Sequence, residues 1–427
     1  MPELEERLRA HLDRVVATPP AVGMEERIRR HTAAPAGPAR RAWLGQVLAS
    51  AALIAVAAGL FYGLRLSRDH VVTRPKPAPS ATAIPSPTPS NVQPRPSHVV
   101  AVHMVSASVG WGLTNQGVLR TTDDWSHWAN VGPVGADLSG AGAEFLDGTT
   151  AWLATTQGSA TGTISIFRTS NAGQSWQRSS LTDAQNVGPG ELDFVDAAHG
   201  WLFLSYSSAA GSQGVALYQT TDGGVQWIRV EQTPGPVQAA PGSLPFGCHK
   251  TGVSFISAST GWATGDCAGG SPFFYVTRDG GRTWAKQALV GPSNLALSAG
   301  SALTPPVFLA DGSGYFTLMA NATEVVYTTS DGGATWTAHS LPTGGPGQSP
   351  VVAFSNLLDG WVVSADGATI YRSQDGGGQW SSFRPAPALT QLQSLDPVDA
   401  THAVAIVNPS GNQDLLLVTA DGGRTWK

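Results

Sequence analysis

One short string recurs seven times in the second part of this 427-residue chain, and that recurrence constrains the fold more than anything else in it. SDGGATW ends at Trp336. Close copies are TDGGVQW to Trp227, RDGGRTW to Trp284, QDGGGQW to Trp380 and ADGGRTW to Trp426, with degenerate copies TDDWSHW to Trp128 and SNAGQSW to Trp176. Successive tryptophans lie 48, 51, 57, 52, 44 and 46 residues apart. A second motif runs in phase upstream: a small turn, Gly-Trp and an apolar run, as in SASVGWGLT, DAAHGWLFL, SASTGWATG and NLLDGWVVS. With Trp152 at the matching place in GTTAWLAT, the two motifs absorb 12 of the 14 tryptophans; Trp43 and Trp125 fall outside.

Each unit reads as four short strands. In the fourth, VSFIS precedes the SAST turn, then come GWATG, FFYVTR, the RDGG turn and TWAKQ. The runs are β-branched or aromatic and punctuated by Gly, Asp and Pro, and helical periodicity is absent. A single such unit cannot bury both faces, whereas a ring of them can. Residues 98–427 are therefore expected to form an all-β, seven-bladed β-propeller with about 47 residues per blade.

The Asp-x-Gly-x-Ser/Thr-Trp string resembles the Asp-box, or BNR, repeat of sialidase-like propellers. The domain also looks like those of the photosystem II assembly or stability factor type. The resemblance implies a structural clasp on the third-to-fourth strand turn, at Asp123 and Trp128, Asn171 and Trp176, Asp222 and Trp227, Asp279 and Trp284, Asp331 and Trp336, Asp375 and Trp380, and Asp421 and Trp426. The local chemistry fits such a turn. An Asp there accepts nearby backbone N–H groups, Gly-Gly supplies positive φ, and Trp fills the space between blades. A row of aspartates otherwise suggests metal or acid–base chemistry, but these belong to seven different blades. Asn171 keeps the acceptor without the charge. Asp124 and Trp125 replace the glycines of the first box, so its turn must differ. The last box leaves almost no fourth strand, and HVVAVHMV (98–105) is expected to help close the ring there.

Three segments precede the repeats. Residues 1–42 hold PELEERLRAHLDRVV, with Leu4, Leu8 and Leu12 on one helical face, a short amphipathic helix that rests at a membrane surface or docks a cytoplasmic partner. Residues 43–64 carry no charge and, at about 1.5 Å per residue, are long enough for a single transmembrane helix. Arg65 and Arg68 follow it, and the run lies too far from the start for a signal peptide. Residues 65–97 contain eight prolines and read as an extended linker. Residues 1–96 carry net charge +6 and 97–427 carry −11, which together give the overall −5. The expected topology is a single-pass cell-membrane protein with a cytoplasmic N-terminus and an extracytoplasmic propeller. Its acidic surface excludes nucleic acid.

Candidates for chemistry are few, since charged residues make up 13%, against about 25% in ordinary chains. Catalytic members of the resembling group carry a Phe/Tyr-Arg-Ile-Pro motif and three clustered arginines. No such motif occurs, and the propeller's arginines sit mostly in or beside the boxes. Glu144, Glu191, Glu231 and Glu324 are its only glutamates and lack a recognisable context; Asp193 and Asp196 are assigned to a turn. No catalytic residue, cofactor site or metal site is expected. Cys248 and Cys267 flank the first two strands of an enlarged unit, which in an oxidising compartment favours a disulfide. The face opposite the boxes carries neutral, Gly-rich loops, TTQGSATGTIS, SYSSAAGSQG, GDCAGGSPFF and the 228–250 insertion, suited to a protein or glycan ligand. The leading expectation is a non-enzymatic binding or scaffolding module. Alternatives are a glycan hydrolase of sialidase or xyloglucanase type, favoured by carboxylates facing each other in the central funnel, and a transmembrane sensor acting through residues 1–42.

Overall fold

The computed structural model describes residues 82–85, 92–93 and 99–427, the last without 124, 157–161, 183–189, 210, 234–240, 268–271, 293–296, 298–301, 321–322, 344–349 and 410–413. The amphipathic segment 2–16 and the apolar segment 43–64 lie outside the described residues. Among the described residues, no helix is long and apolar enough to cross a membrane.

The repeats fold into seven antiparallel sheets, one per unit. Blade 1 runs Val99–Met104, Gly110–Thr114, Val118–Thr121 and Trp128–Asn130. Blade 3 runs Glu191–Phe194, Gly200–Ala209, Ser212–Thr220 and Ile228–Gln232. Blades 2, 4, 5 and 6 repeat this order, their inner strands ending at Phe145, Phe255, Phe308 and Phe354; blade 7 has three strands, Leu392–Pro397, Ala403–Val407 and Leu415–Thr419. The chain is thus an all-β, seven-bladed propeller. The inner strands of blades 2 and 3, 3 and 4, 6 and 7, and 7 and 1 contact one another along the channel.

The core is divided into seven clusters, each spanning one interface between neighbouring blades. Tryptophans at the Gly-Trp position, with Ala151 replacing the glycine before Trp152, anchor five of them. Trp152 of blade 2 stacks on Phe194 of blade 3 at 3.7 Å, and Trp201 of blade 3 on Phe255 of blade 4 at 3.6 Å. The glycine before the tryptophan makes room for its own blade's phenylalanine: a Cβ on Gly200 would lie 2.4 Å from the Phe194 ring. Burying one such indole removes about 150–250 Å² from water, worth on the order of 4–6 kcal/mol.

Three expectations need correction. HVVAVHMV does not add a strand to blade 7: Val99–Met104 is the inner strand of blade 1, paired with Gly110–Thr114. Among the described residues, the outer strand position of blade 7 holds only Lys427, paired with Val418. The seam instead closes through side chains, with Met104, Trp125 and Trp128 against Val404, Ile406 and Leu416. Trp125 is no outlier either. Blade 1 has Met104 where the inner strands of blades 2 to 6 end in phenylalanine, and the Trp125 ring occupies the space above Gly110 that phenylalanine fills over Gly200, Gly261, Gly314 and Gly360. It does so with a positive φ of 66° and donates from Nε1 to Ala107. Finally, the Pro-rich linker is partly sheet. Thr82–Pro85 pairs with the outer strand of blade 2, and Val92–Gln93 with that of blade 1. An outer edge exposes unpaired N–H and C=O groups, which any nearby extended chain can satisfy.

Candidate functional site in the central funnel

The boxes show one repeated geometry. In the third, Asp222 Oδ1 accepts the N–H of Val225 and Gln226 at 3.0 and 2.9 Å, and both glycines take positive φ. In the fourth, fifth and seventh, the Asp also accepts the hydroxyl of Thr283, Thr335 or Thr425. The Thr335 hydroxyl holds the Asp331 carboxyl at about 2. Asn171 forms the same turn, accepting Ser175 N–H and donating to its hydroxyl. Asp123 bonds His127. The box tryptophans pack inward: Nε1 of Trp227, Trp284, Trp380 and Trp426 donates to its own turn, and Trp176 reaches Val131 of the preceding blade. Trp128 is buried at the seam of blades 7 and 1 and Trp336 is half-buried between blades 4 and 5, and neither Nε1 has a hydrogen-bond partner among the described residues.

A further box residue escapes the motif as read from sequence. Two positions before each Asp or Asn stands a buried hydroxyl: Thr121, Thr169, Thr220, Thr277, Thr329, Ser373 and Thr419. It donates to the Asp or Asn, and in six boxes it accepts the N–H of the second turn glycine, as Thr220 does from Gly224 at 2.9 Å. The signal was available as an unbroken column of Thr or Ser.

Three arginines are likewise architectural. Arg120, Arg168 and Arg372 lie over Trp111, Trp152 and Trp361 of their own blades and donate to a carbonyl in the next blade's first turn, Gly148, Ala197 and Ala400. Gln219 does the same in blade 3. Cys248 and Cys267 are bonded to each other. Beside them Lys250 is buried, its ammonium donating to four carbonyls, and burial lowers it to about 8. Among the described residues, no group of three or more His, Cys, Asp or Glu could hold a metal ion. The SYSSAAGSQG segment is largely strand, paired up to Ala209 and Ser212.

The channel tells a different story from the turns. The penultimate position of the inner strands holds His103, Glu144, Asp193, Ser254, Val307, Ala353 and Asp396 around the ring. Asp193 is therefore on a strand, not in the turn expected for it; Asp196 does cap that turn, accepting from Ala198 and His199. Two of these aspartates tie blades together. Asp193 accepts Phe255 N–H of blade 4 at 2.6 Å, and Asp396 accepts Met104 N–H of blade 1 at 2.5 Å with His103 3.6 Å away. Glu144 and Asp193 each keep some exposure to the lumen, yet protein surrounds them. Burial raises Glu144 to about 8, reinforced by the charge of Asp193, and raises Asp193 to about 7 against the Phe255 hydrogen bond.

Toward the face opposite the boxes the channel opens into a cavity of about 730 Å³ between blades 3, 4, 5 and 6. Its walls are mainly apolar, with Leu192, Pro305, Pro306, Val307, Met319 and Val352, plus several hydroxyls and the carboxyls of Asp193 and Glu324. Glu191, two residues before Asp193, reaches toward Pro305 across Gly252, where a Cβ would lie 2.9 Å from its carboxyl. Glu324 is 6% exposed, burial raises it to about 7, and its Oε2 has no hydrogen-bond partner among the described residues. Carboxyl groups thus do share the funnel, at positions whose context was not legible one residue at a time. The column preceding the inner-strand phenylalanines was the available signal for Glu144 and Asp193; nothing local marked Glu324.

No protein-family model matches the chain, and no curated protein does. Solved structures share its architecture. YCF48 bound to D1 peptide aligns at 16% identity, TM-score 0.46, covering 80% of this chain and 96% of that one. The GH74 xyloglucanase from Xanthomonas campestris aligns at 17% and TM-score 0.49, covering 81% and 55%. Oligogalacturonate lyase in complex with manganese aligns at 9% and TM-score 0.50, covering 80% and 98%. At these identities the likeness extends to the propeller fold.

Proposed function

We propose that the chain is a membrane-anchored, extracytoplasmic binding or scaffolding propeller that takes its ligand in the funnel opposite the Asp boxes. The observation that carries this reading is the cavity of about 730 Å³ at the channel mouth, mostly apolar with a few polar groups, the usual make-up of a ligand site. The box face is committed to turns whose polar groups bond one another. Anchoring rests on the uncharged segment 43–64 and orientation on the acidic, Lys-poor repeats behind it. A membrane-impermeant maleimide tests orientation: a cysteine placed at Ser90 should react in intact cells, and protection until lysis would overturn it.

One observation favours hydrolysis as a second reading, because the carboxyls of Asp193 and Glu324 line the same cavity. Against it, Asp193 is engaged as an inter-blade clasp, the role Asp396 repeats at the seam. Incubating the full chain with sialosides, xyloglucan oligosaccharides and oligogalacturonates separates the two. Binding without product supports the proposal; reducing-end release abolished by Glu324→Gln would replace it with a glycosidase.

A further inference from the structure

We propose that Glu324 anchors a Lys or Arg side chain of an extended peptide, its ammonium or guanidinium against the buried carboxyl and its methylene stem along the apolar funnel wall. This rests on the reading of the funnel as the ligand site and names what the site selects.

Two independent observations meet at Glu324. It lines the cavity, and its Oε2 is buried without a partner among the described residues. A buried carboxyl left unpaired is costly, and a cation brought to it recovers that cost through a charge-assisted hydrogen bond. Burial already pushes this carboxyl toward its protonated form, so a cation bound there would return it to the ionised form. The surroundings choose the sign of the ligand. Glu191 and Asp193 place two more carboxyls nearby, and among the described residues no Lys, Arg or His lines the cavity, so an anion finds no charged partner there.

The walls choose between a peptide side chain and a sugar. Thr251 donates to Leu303 O at 2.6 Å, and Thr304 accepts Thr317 N–H at 2.9 Å, so both hydroxyls already have partners within the protein. A sugar would bury hydroxyls against Pro305, Pro306 and Val307 with few partners. The methylenes of Lys or Arg match that surface and need one polar contact at the tip.

The test is calorimetric titration of the full chain with acetyl-Ala-Lys-Ala-amide and its Nε-acetyl-lysine twin. The expected result is at least tenfold tighter binding of the charged peptide, falling to near parity in Glu324→Gln, with partial recovery in Glu324→Asp. Val307→Trp, which fills the cavity from the inner strand of the same blade, should abolish binding of both. Melting curves confirm that each variant folds. Equal affinity for the twins, or a preference that survives Glu324→Gln, overturns the Glu324 site while leaving the funnel reading intact if Val307→Trp still blocks binding. Binding unaffected by Val307→Trp, or no binding by 10 mM, overturns the peptide site, and only the former also removes the funnel.

Discussion

Thr220 does as much for the third box as Asp222 does. Its hydroxyl gives to the carboxylate and receives Gly224 N–H, both deep in the turn. Thr220→Val keeps the shape but strands a buried N–H, which costs about 1–3 kcal/mol. Urea denaturation should show that loss, and Thr220→Ser should recover most of it. Glu324 behaves in the opposite sense. Its folded-state value is raised to about 7, so its protonated form contributes stability below about pH 4.5, and that contribution is lost as pH rises through 7. Glu324→Gln should therefore melt higher than the native chain at pH 8, with the gap closing at pH 4. A variant that melts lower at pH 8 would mean that the carboxylate has a partner. The box motif showed Asp and Trp plainly in sequence, because turn chemistry is local. Glu324 stayed hidden because its burial depends on blades brought together only by closure of the ring.

At the scale of the element, the unit of stability is the interface between blades. Trp201 belongs by sequence to blade 3 but stacks on Phe255 and donates to Gly280, both in blade 4. Trp201→Ala should cost about 3–5 kcal/mol, and hydrogen exchange should rise in blade 4 as well as in blade 3. Exchange confined to blade 3 would contradict the shared interface. The Cys248–Cys267 bond closes a 19-residue separation across the first two strands of blade 4. Replacing both with serine should cost about 3 kcal/mol, read by denaturation under non-reducing conditions. Strand order and the Gly-Trp turns were legible because each blade is continuous in sequence. The linker strands were not: eight prolines argue for an extended spacer, and only the free outer edges of blades 1 and 2 reveal why parts of it pair.

For the whole molecule, two sets of carboxyls pull against each other. Hydrogen-bonded box aspartates such as Asp331 and Asp421, both held at about 2, stabilise the fold above the unfolded value near 4 and lose that contribution as pH falls toward 2. The crowded channel carboxyls of Glu144 and Asp193, raised to about 8 and 7, lose theirs as pH climbs through those values. The melting temperature should therefore peak near pH 5 and fall on both sides, and Glu144→Gln with Asp193→Asn should flatten the alkaline limb. The same division separates architecture from recognition. The tryptophans and aspartates that dominate the sequence build the ring, whereas the funnel is made from scattered inner-strand positions. The most direct test of that division is hydrogen exchange of the full chain with and without acetyl-Ala-Lys-Ala-amide. Protection should fall on the inner-strand amides around 251–254, 302–304 and 351–352, with the box turns unchanged. Protection at the box turns and none in the funnel would contradict the account.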